Sequence, residues 1–414
     1  MKLKKQDSQI AKLIDLEAER QKTSLEMIPS ENHCSPAVRE ALGSILTDKY
    51  AEGYPGKRYY AGLKYYDILE DLCRNRAKKL FKVEHANVQP YSGSPANAAV
   101  YMAVCEPGDT IMGMSLPMGG HLTHGWKSNF SAKFYKSVQY SVDEKTGLLD
   151  YNALENLAKQ NKPKLIFVGA TAYPRIFDWK RLGEIADSVG AYIAADVAHI
   201  AGLIVGGAHP SPVPYVHIIS TTTHKTLRGP RGGMIMVTKK GIEKDPDLSK
   251  KIDKAIFPGL QGGPHMHQVA AIAVCLKEAS TPAFKKYAKQ VVKNAKALAD
   301  GLKNYGFNLV SGGTDNHLIL IDLRNKNITG PEAQDLLESA GITINKNTIP
   351  FDPAPPFKPS GIRMGTPALT TRGMKEKEMA RVASWINEVV SKPKSIKKVR
   401  EEIKKFCKKF PLPK

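Results

Sequence analysis

No hydrophobic run in this sequence is long enough to cross a membrane, because none of its apolar stretches reaches about 18 uncharged residues. The N-terminal segment MKLKKQDSQIAKLIDLEAER is charged throughout, so we expect no secretory signal there. The five cysteines are scattered and form no C-x-x-C pair. These absences predict a cytoplasmic protein with no membrane partner, no disulfide framework and no metal site.

Acidic residues are also scarce relative to basic ones, with 40 Asp and Glu against 61 Lys and Arg, which gives a net charge of +21. The charge is concentrated near the C-terminus, where residues 392–414 hold ten basic residues and two Glu. That segment predicts an amphipathic helix whose lysines face solvent. Its apolar stripe consists of Ile396, Val399, Ile403, Phe406 and Phe410. Because no nucleic-acid motif accompanies the charge, the sequence does not favour nucleic acid as a partner.

Short apolar runs of strand length alternate with helical patterns in the middle of the chain. The predicted strands are KLIFVGA (164–170), AYIAAD (191–196), HIIST (217–221) and GMIMVT (233–238). A helical stretch that ends at Gly190 connects the first two, which predicts parallel pairing with a right-handed crossover. Ligands of such sheets bind beyond the carboxyl ends of the strands.

The pattern changes after about residue 280, where a long helical stretch leads into strands, another helix and a proline-rich segment. We therefore expect an α/β fold with a mostly parallel central sheet in a large domain, plus a smaller α+β C-terminal domain. The predicted division is a helical arm over residues 1–25, a large domain over 26–280 and a small domain over 281–414.

The segment STTTHKTLRGPRGG (220–233) places Lys225 just beyond the carboxyl end of a predicted strand. A surface lysine is the ordinary interpretation, but a lysine that forms a Schiff base needs such a rigid, partly desolvated position. Asp196 ends a neighbouring buried strand. Alone, Asp196 would be read as a turn cap, whereas beside Lys225 it suits the protonated pyridine nitrogen of a cofactor.

A serine-rich turn precedes an apolar helix in PYSGSPANAAVYMAV (90–104). Ser94 is expected to cap this helix, with Pro95 at its first position. Ser92, Gly93 and Ser94 then offer hydroxyls and amides to a phosphate. The glycine pair in QGGP (261–264) could approach the same anion.

Several segments together resemble the serine hydroxymethyltransferase family, in the family's order, from about Leu25 to Val390. They are KYAEGYPGKRYYAG, VQPYSGSPAN, GGHLTHG, DVAHIAGL, TTTHKTLRGPRGG, FPGLQGGP, SGGTDNHL and SGIRMGTPA. The resemblance implies a pyridoxal-phosphate enzyme of fold type I, the aspartate-aminotransferase-like fold. It also implies a cytoplasmic homodimer or a tetramer built from dimers.

The activity implied by the resemblance is that of a glycine hydroxymethyltransferase, a transferase of one-carbon metabolism and amino-acid biosynthesis. The enzyme would convert serine and tetrahydrofolate reversibly into glycine and 5,10-methylenetetrahydrofolate through an aldimine on Lys225. One alternative is an aldolase of the same fold that cleaves threonine-like β-hydroxy amino acids without folate. The others are an α-methylserine-specific relative and an RNA-binding function, alone or as an additional activity of the basic surface.

The resemblance also assigns site residues. Catalytic roles are implied for Lys225, Glu52, Tyr60, His121 and His224. Pyridoxal phosphate would be held by Tyr50, Ser92, Gly93, Ser94, His121, Thr171, Asp196, His199, His224, Lys225, Gly262 and Gly263. The amino-acid substrate would contact Ser30, Glu52, Tyr60 and Arg363. Tetrahydrofolate, the cosubstrate, would contact Leu116, Gly120, His121, Leu122, Asn347, Pro355, Pro356 and Phe357.

Within that set the resemblance implies specific duties. Asp196 pairs with the pyridinium nitrogen, His121 stacks on the ring and Arg363 grips the substrate carboxylate. Tyr50, Glu52 and Gly263 would serve the active site of the other subunit. Thr171 departs from the serine usual in the family, and Met118 replaces a residue that is polar in relatives.

Each residue alone has a simpler interpretation. His121 and His124 suit hydrogen-bonded core histidines, Glu52 a solvated loop acid, and Arg363 a structural salt bridge. The tyrosines near Tyr60 suit packing at an interface. The joint occurrence of these residues in one ordered set favours the functional interpretation.

Overall fold

The computed structural model describes residues 2–413. Its helices are α1 (Lys2–Gln6), α2 (Ser8–Thr23), α3 (Pro36–Leu42), α4 (Lys64–Phe81), α5 (Gly93–Val104), α6 (Phe130–Phe134), α7 (Tyr151–Asn161), α8 (Trp179–Ser188), α9 (Ala201–Val205), α10 (Lys239–Lys244), α11 (Leu248–Lys254), α12 (Met266–Ala279), α13 (Pro282–Asn304), α14 (Gly330–Ser339), α15 (Pro367–Thr371), α16 (Glu376–Ser391) and α17 (Ile396–Cys407). Within residues 2–413, no helix combines the length and apolar character that crossing a membrane requires.

The strands are β1 (Leu25–Glu26), β2 (Gly53–Tyr54), β3 (Lys57–Arg58), β4 (His85–Asn87), β5 (Thr110–Met114), β6 (Lys136–Tyr140), β7 (Leu165–Val168), β8 (Tyr192–Asp196), β9 (Ile218–Thr222), β10 (Gly233–Val237), β11 (Asn308–Leu309), β12 (Leu318–Asp322), β13 (Ile342–Thr343), β14 (Asn345–Asn347) and β15 (Gly361–Gly365). All four strands expected in the middle of the sequence are present, as β7 to β10.

Seven strands form the central sheet in the order β4-β10-β9-β8-β7-β5-β6. The pairs from β9 to β6 are parallel, while β10 is antiparallel to both of its neighbours. This is the α/β fold with a mostly parallel sheet expected from the sequence. The β8–β9 register places Asp196 opposite Ser220, so the two strands end side by side.

Both faces of this sheet are covered, because successive strand residues point to opposite sides. Leu165 and Phe167 pack with α5 on one face, and Ile166 and Val168 pack into the larger core on the other face. Burial on both faces explains the nearly continuous apolar sequence of β7. Because both faces are covered, the strand ends and their loops are the part of the sheet that stays accessible.

A second, four-stranded sheet has the order β11-β12-β15-β14 and is antiparallel. It has its own hydrophobic core, to which Leu25 and Met27 belong because β1 pairs with β13. Helix α13 joins the two cores: Phe284 packs in the first core and Leu302 in the second. The predicted C-terminal helix is present as α17, with Val399 and Ile403 fully buried.

Arg372 ties the ends of the chain to the second core. Its guanidinium donates to the carbonyls of Gln21, Lys22 and Ser24, at the end of α2. The same group donates to the carbonyls of Cys407 and Phe410, at the end of α17. One buried cation thus satisfies carbonyls that two helix ends leave without intrahelical partners.

Candidate active site

The loops after β5, β7, β8 and β9 meet at the carboxyl edge of the central sheet and enclose a cavity of about 460 Å³. The cavity gathers many of the residues singled out from the sequence. Those lining it are Ser30, Ser92, Gly93, Ser94, His121, Thr171, Asp196, His199, His224, Lys225, Asn347 and Arg363. They come from both sheets, since Arg363 lies on β15.

Asp196, the last residue of β8, is held by hydrogen bonds on both oxygens. Asn97 donates to Oδ2 over 2.8 Å, and the Nε2 of His124 lies 3.1 Å from the same oxygen. The amide of Ala198 donates to Oδ1 over 3.0 Å. Burial alone would raise the pKa of this carboxyl, but the hydrogen bonds from His124 and Asn97 outweigh it and hold the pKa well below its usual range. Asp196 is therefore a fixed negative charge at the cavity wall.

Lys225 follows β9 by three residues, and its Nζ donates to Oγ1 of Thr222 over 3.0 Å. Burial lowers the pKa of this amine to about 8, with Arg363 and Arg231 acting in the same direction and Asp196 opposing them. A lysine with such a pKa is partly neutral near physiological pH. The neutral amine is the nucleophilic form, so the site can support carbonyl chemistry.

The amino end of α5 points its first turn at the cavity. The helix begins at Gly93 with Ser92 as its N-cap, two residues earlier than expected, so the prediction that Ser94 caps the helix was wrong. Pro95 fits in the first turn of α5, because the backbone nitrogens of that turn make no intrahelical hydrogen bond. No capping hydrogen bond occupies the Ser92 side chain among the described residues. A Cβ on Gly93 would lie 2.7 Å from Cγ2 of Thr222, so only glycine fits this close approach.

Two histidines in the cavity are neutral donors or acceptors rather than cations. Burial lowers the pKa of His121 to about 4 and that of His224 to about 3. Nδ1 of His121 lies 2.7 Å from Oγ1 of Thr123, which fixes the ring. Nδ1 of His224 is buried and has no partner within residues 2–413. An orphaned buried nitrogen beside a cavity is what a missing polar ligand would leave.

Arg363 is a half-buried cation that lines the same cavity. Its Nε donates to Oδ1 of Asn345 over 3.1 Å, and its Nη1 donates to the carbonyl of Thr171. No carboxylate of the described chain forms an ion pair with it. Burial lowers the pKa of Arg363 to about 10 despite the negative charge of Glu31. A guanidinium without a carboxylate partner is suited to bind an anionic ligand. This arrangement does not match the structural salt bridge that was the simpler interpretation of the sequence.

Five of the residues predicted for catalysis, cofactor binding or amino-acid binding lie outside this cavity: Tyr50, Glu52, Tyr60, Gly262 and Gly263. They form a second group, since Cβ atoms on Gly263 and Gly262 would lie 3.1 Å from Tyr50 and 3.5 Å from Glu52. The rings of Tyr50 and Tyr60 are 5.5 Å apart and are 64 % and 46 % exposed. The single chain therefore leaves the predicted site in two separate parts.

Arg58 holds the turn that carries Glu52. Its Nη1 donates to the carbonyls of Ala51 and Gly53, on either side of Glu52. Its Nη2 pairs with Glu70 at 2.7 Å, and both of these side chains are buried. Glu52 itself forms no ion pair with a described residue, so its backbone is held in place while its carboxylate is free to interact.

The predicted folate contacts are only partly assembled. Asn347 lines the cavity. Gly120 lies close by, since its carbonyl accepts a hydrogen bond from Thr171 at 3.0 Å. Leu122 is exposed, and Leu116 is half-buried outside the cavity. The turn of Pro355, Pro356 and Phe357 is exposed, with Phe357 78 % accessible.

The residues at the site that were not assigned from the sequence include Asn97, His124 and Arg231. Asn97 interrupts the apolar helix α5, and a polar residue in that setting was a usable signal. His124 is a buried, hydrogen-bonded histidine, as its simpler interpretation expected, and the partner of its Nε2 is Asp196. Arg231 lines the cavity, and its only signal was its place in the glycine-rich turn after Lys225.

The site as built fits pyridoxal phosphate. A glycine-lined helix start suits the phosphate, a fixed carboxylate suits a protonated ring nitrogen, and a partly neutral lysine suits the aldehyde. With a mostly parallel sheet that presents these groups at its carboxyl edge, the protein is a pyridoxal-phosphate enzyme of fold type I.

The family model for serine hydroxymethyltransferase matches residues 3–386. The chain therefore belongs to the serine hydroxymethyltransferase family, as the sequence motifs indicated. The family consists of glycine hydroxymethyltransferases, which use pyridoxal phosphate with tetrahydrofolate as cosubstrate.

Proposed function

We propose that this enzyme converts serine and tetrahydrofolate reversibly into glycine and 5,10-methylenetetrahydrofolate. The main support is the placement of Arg363, half-buried and without a carboxylate partner within residues 2–413, in the same cavity as Lys225 and Asp196. When bound, the cofactor supplies an electron sink that labilises the bonds at the substrate Cα. The protein's own residues bind, orient and exchange protons around that chemistry.

Lys225 and Asp196 would hold the cofactor at its two reactive positions. The partly neutral amine of Lys225 would be the group that binds the aldehyde. Asp196 keeps its charge because Asn97 and His124 stabilise the carboxylate. An ionised carboxylate at the ring nitrogen keeps that nitrogen protonated, which is the state that withdraws electrons. Ser92, Gly93 and Ser94 would bind the phosphate at the start of α5.

Arg363 would bind the α-carboxylate of serine, with Ser30 as a further donor. A planar guanidinium makes two parallel charge-assisted hydrogen bonds to a carboxylate. This anchoring fixes the orientation of the Cα substituents. The carbonyl of Thr171 accepts a hydrogen bond from Arg363 and so helps to position it, and His121 and His224 would line the cofactor as neutral rings.

We infer that the complete site needs two subunits. Tyr50, Glu52, Tyr60, Gly262 and Gly263 do not reach the cavity of their own chain. Exposed apolar side chains lie near them: Tyr59 packs on Phe257, Met102 lies beside Gly259, and Leu260 follows in the chain. A patch of this kind marks an interface. In a symmetric dimer each chain would place Glu52 and Tyr60 at the substrate of the other chain, with Glu52 as a proton-transfer group.

Folate would bind at the mouth of the cavity, near Asn347 and Gly120, with the loops of Leu116, Leu122 and Pro355–Phe357 around it.

The five cysteines are free, four of them buried, which supports a cytoplasmic location. The division into an arm over residues 1–25 and domains over 26–280 and 281–414 stays a proposal.

The test is an assay of serine cleavage with and without tetrahydrofolate. We expect stoichiometric glycine and methylenetetrahydrofolate, and little cleavage of serine when folate is omitted. The aldolase alternative predicts rapid folate-independent cleavage of threonine-like substrates and no folate product. That result would overturn the proposed reaction while leaving the cofactor assignment in place.

A further inference from the structure

One histidine, His317, lies behind the cavity rather than in its lining. His199 lines the cavity, and its Nδ1 lies 3.2 Å from Nε2 of His317. The ring centroids are 5.4 Å apart and the ring planes are inclined by 29°, so the rings meet edge to edge through these nitrogens, and both side chains are buried. His317 immediately precedes β12, so this contact joins the two sheets of the protein.

Both imidazoles are neutral. Burial holds the pKa of His199 well below its usual range and that of His317 at about 3, and the nearby charges of Lys225 and Arg363 act in the same direction. Two neutral rings in contact share one proton between the facing nitrogens. The hydrogen bond therefore runs in one of two directions, and the direction fixes the tautomer of each ring.

The surroundings of His317 favour one direction. Its Nδ1 is fully buried and has no hydrogen-bond partner within residues 2–413. If His199 donated, His317 would carry its proton on that Nδ1, as a buried N–H without an acceptor. If His317 donates, Nδ1 carries only a lone pair, which the positive charge of nearby Arg363 tolerates better.

We propose that His317 is a positioning residue that donates from Nε2 to Nδ1 of His199 and so fixes the proton of His199 on its Nε2. That Nε2 has no partner in the described chain and is not among the fully buried unpaired atoms; since His199 lines the cavity, we infer that this nitrogen faces it. His199 then presents an N–H donor to a ligand oxygen that carries negative charge. Only the identity of that acceptor, an oxygen on the cofactor ring, rests on the proposed function.

The pairing of β12 with β15 connects the contact between His199 and His317 to Arg363, the proposed substrate-binding residue. β12 pairs with β15, and Leu320, three residues after His317, lies opposite Arg363. The amide of Thr366, just beyond β15, donates to the carbonyl of His317 over 3.2 Å. The same pair of strands therefore positions the cation that binds the carboxylate and the histidine that orients His199.

The direct test is the protonation of His199 in the full-length, cofactor-free protein. Nitrogen NMR with ring-labelled histidine, assigned with the variants His199→Gln and His317→Gln, distinguishes a protonated from an unprotonated nitrogen. We expect Nε2 of His199 to carry the proton and Nδ1 to be the acceptor. A proton on Nδ1 in the wild-type protein would overturn the proposal, and this measurement needs no destabilised variant.

A variant series tests the consequence for cofactor binding. His317→Leu removes the donor, whereas His317→Gln keeps an amide N–H near the same place. His217→Leu, which removes a buried imidazole away from the cavity, is the matched control. By absorption titration of the cofactor-free protein, we expect His317→Leu to weaken binding of pyridoxal phosphate about 10- to 100-fold, with His317→Gln and the control close to wild type.

The outcomes separate the two claims. Equal losses in the Leu and Gln variants, or an unchanged tautomer of His199 in His317→Leu, would show that His317 has only a packing role. A protein with the expected tautomer and the expected variant series but no serine–folate exchange would refute the proposed reaction and leave His317 as the positioning residue.

Discussion

Replacing Lys225 with methionine should make the cofactor-free protein more stable at neutral pH. Burial lowers the pKa of this amine from 10.5 to about 8, so the folded state binds its proton less tightly than the unfolded chain does. A difference of that size corresponds to about 3 kcal/mol. Methionine has a similar shape and no charge, but it loses the hydrogen bond to Thr222, which is worth about 1 kcal/mol. The net expectation is a gain of about 2 kcal/mol in the free energy of unfolding.

The difference in stability between the wild type and Lys225→Met should depend on pH. Below about pH 8 the amine is protonated in both states, and the folded protein bears the full cost of the buried charge. Between about pH 8 and 10.5 the unfolded chain holds the proton and the folded state does not, so the wild type gains stability relative to the variant as pH rises. The advantage of Lys225→Met should therefore be fully present at pH 7 and shrink toward pH 10.

Urea unfolding of the cofactor-free wild type and variant at several pH values measures this difference. Lys239→Met, at a lysine whose side chain is 81 % exposed, is the control and should change little. A variant that is less stable than wild type at pH 7, or a difference that does not vary with pH, would refute the reasoning.

Three further outcomes follow from the site and the core. Arg363→Ala should lose about 2–5 kcal/mol of serine binding without losing covalent cofactor, with Arg363→Lys in between; unchanged serine affinity by spectral titration would place the carboxylate site elsewhere. Mixing inactive Lys225→Ala and Glu52→Gln subunits should restore part of the activity, because one site of each mixed dimer escapes both changes; no recovery after verified exchange would mean that each chain is self-contained. Arg372→Met should lower the free energy of unfolding by at least about 3 kcal/mol, because it leaves carbonyls at two helix ends without a hydrogen-bond donor. A variant as stable as the wild type would contradict this role of Arg372.

The parts of the site that sequence could predict are those set by strand ends. Asp196 and Lys225 follow short buried strands, and parallel pairing brings such positions together without knowledge of side-chain contacts. Asn97 and Asp196 are 99 residues apart, and their hydrogen bond depends on how α5 crosses the sheet, which no local pattern encodes. The start of α5 was misplaced because Ser92 and Ser94 both suit an N-cap. His317 was part of a recognised motif, but its contact with His199 requires the packing of one sheet against the other.

The most direct test of the central claim is the chemical identity of the lysine that binds the cofactor. Borohydride reduction of the protein with bound pyridoxal phosphate, followed by digestion and mass spectrometry, identifies the labelled residue. We expect the label on Lys225, in the peptide that contains STTTHKTLR, because it is the one lysine among the described residues that line the cavity with Asp196 and the start of α5. A label on another lysine, or none on Lys225, would contradict the account.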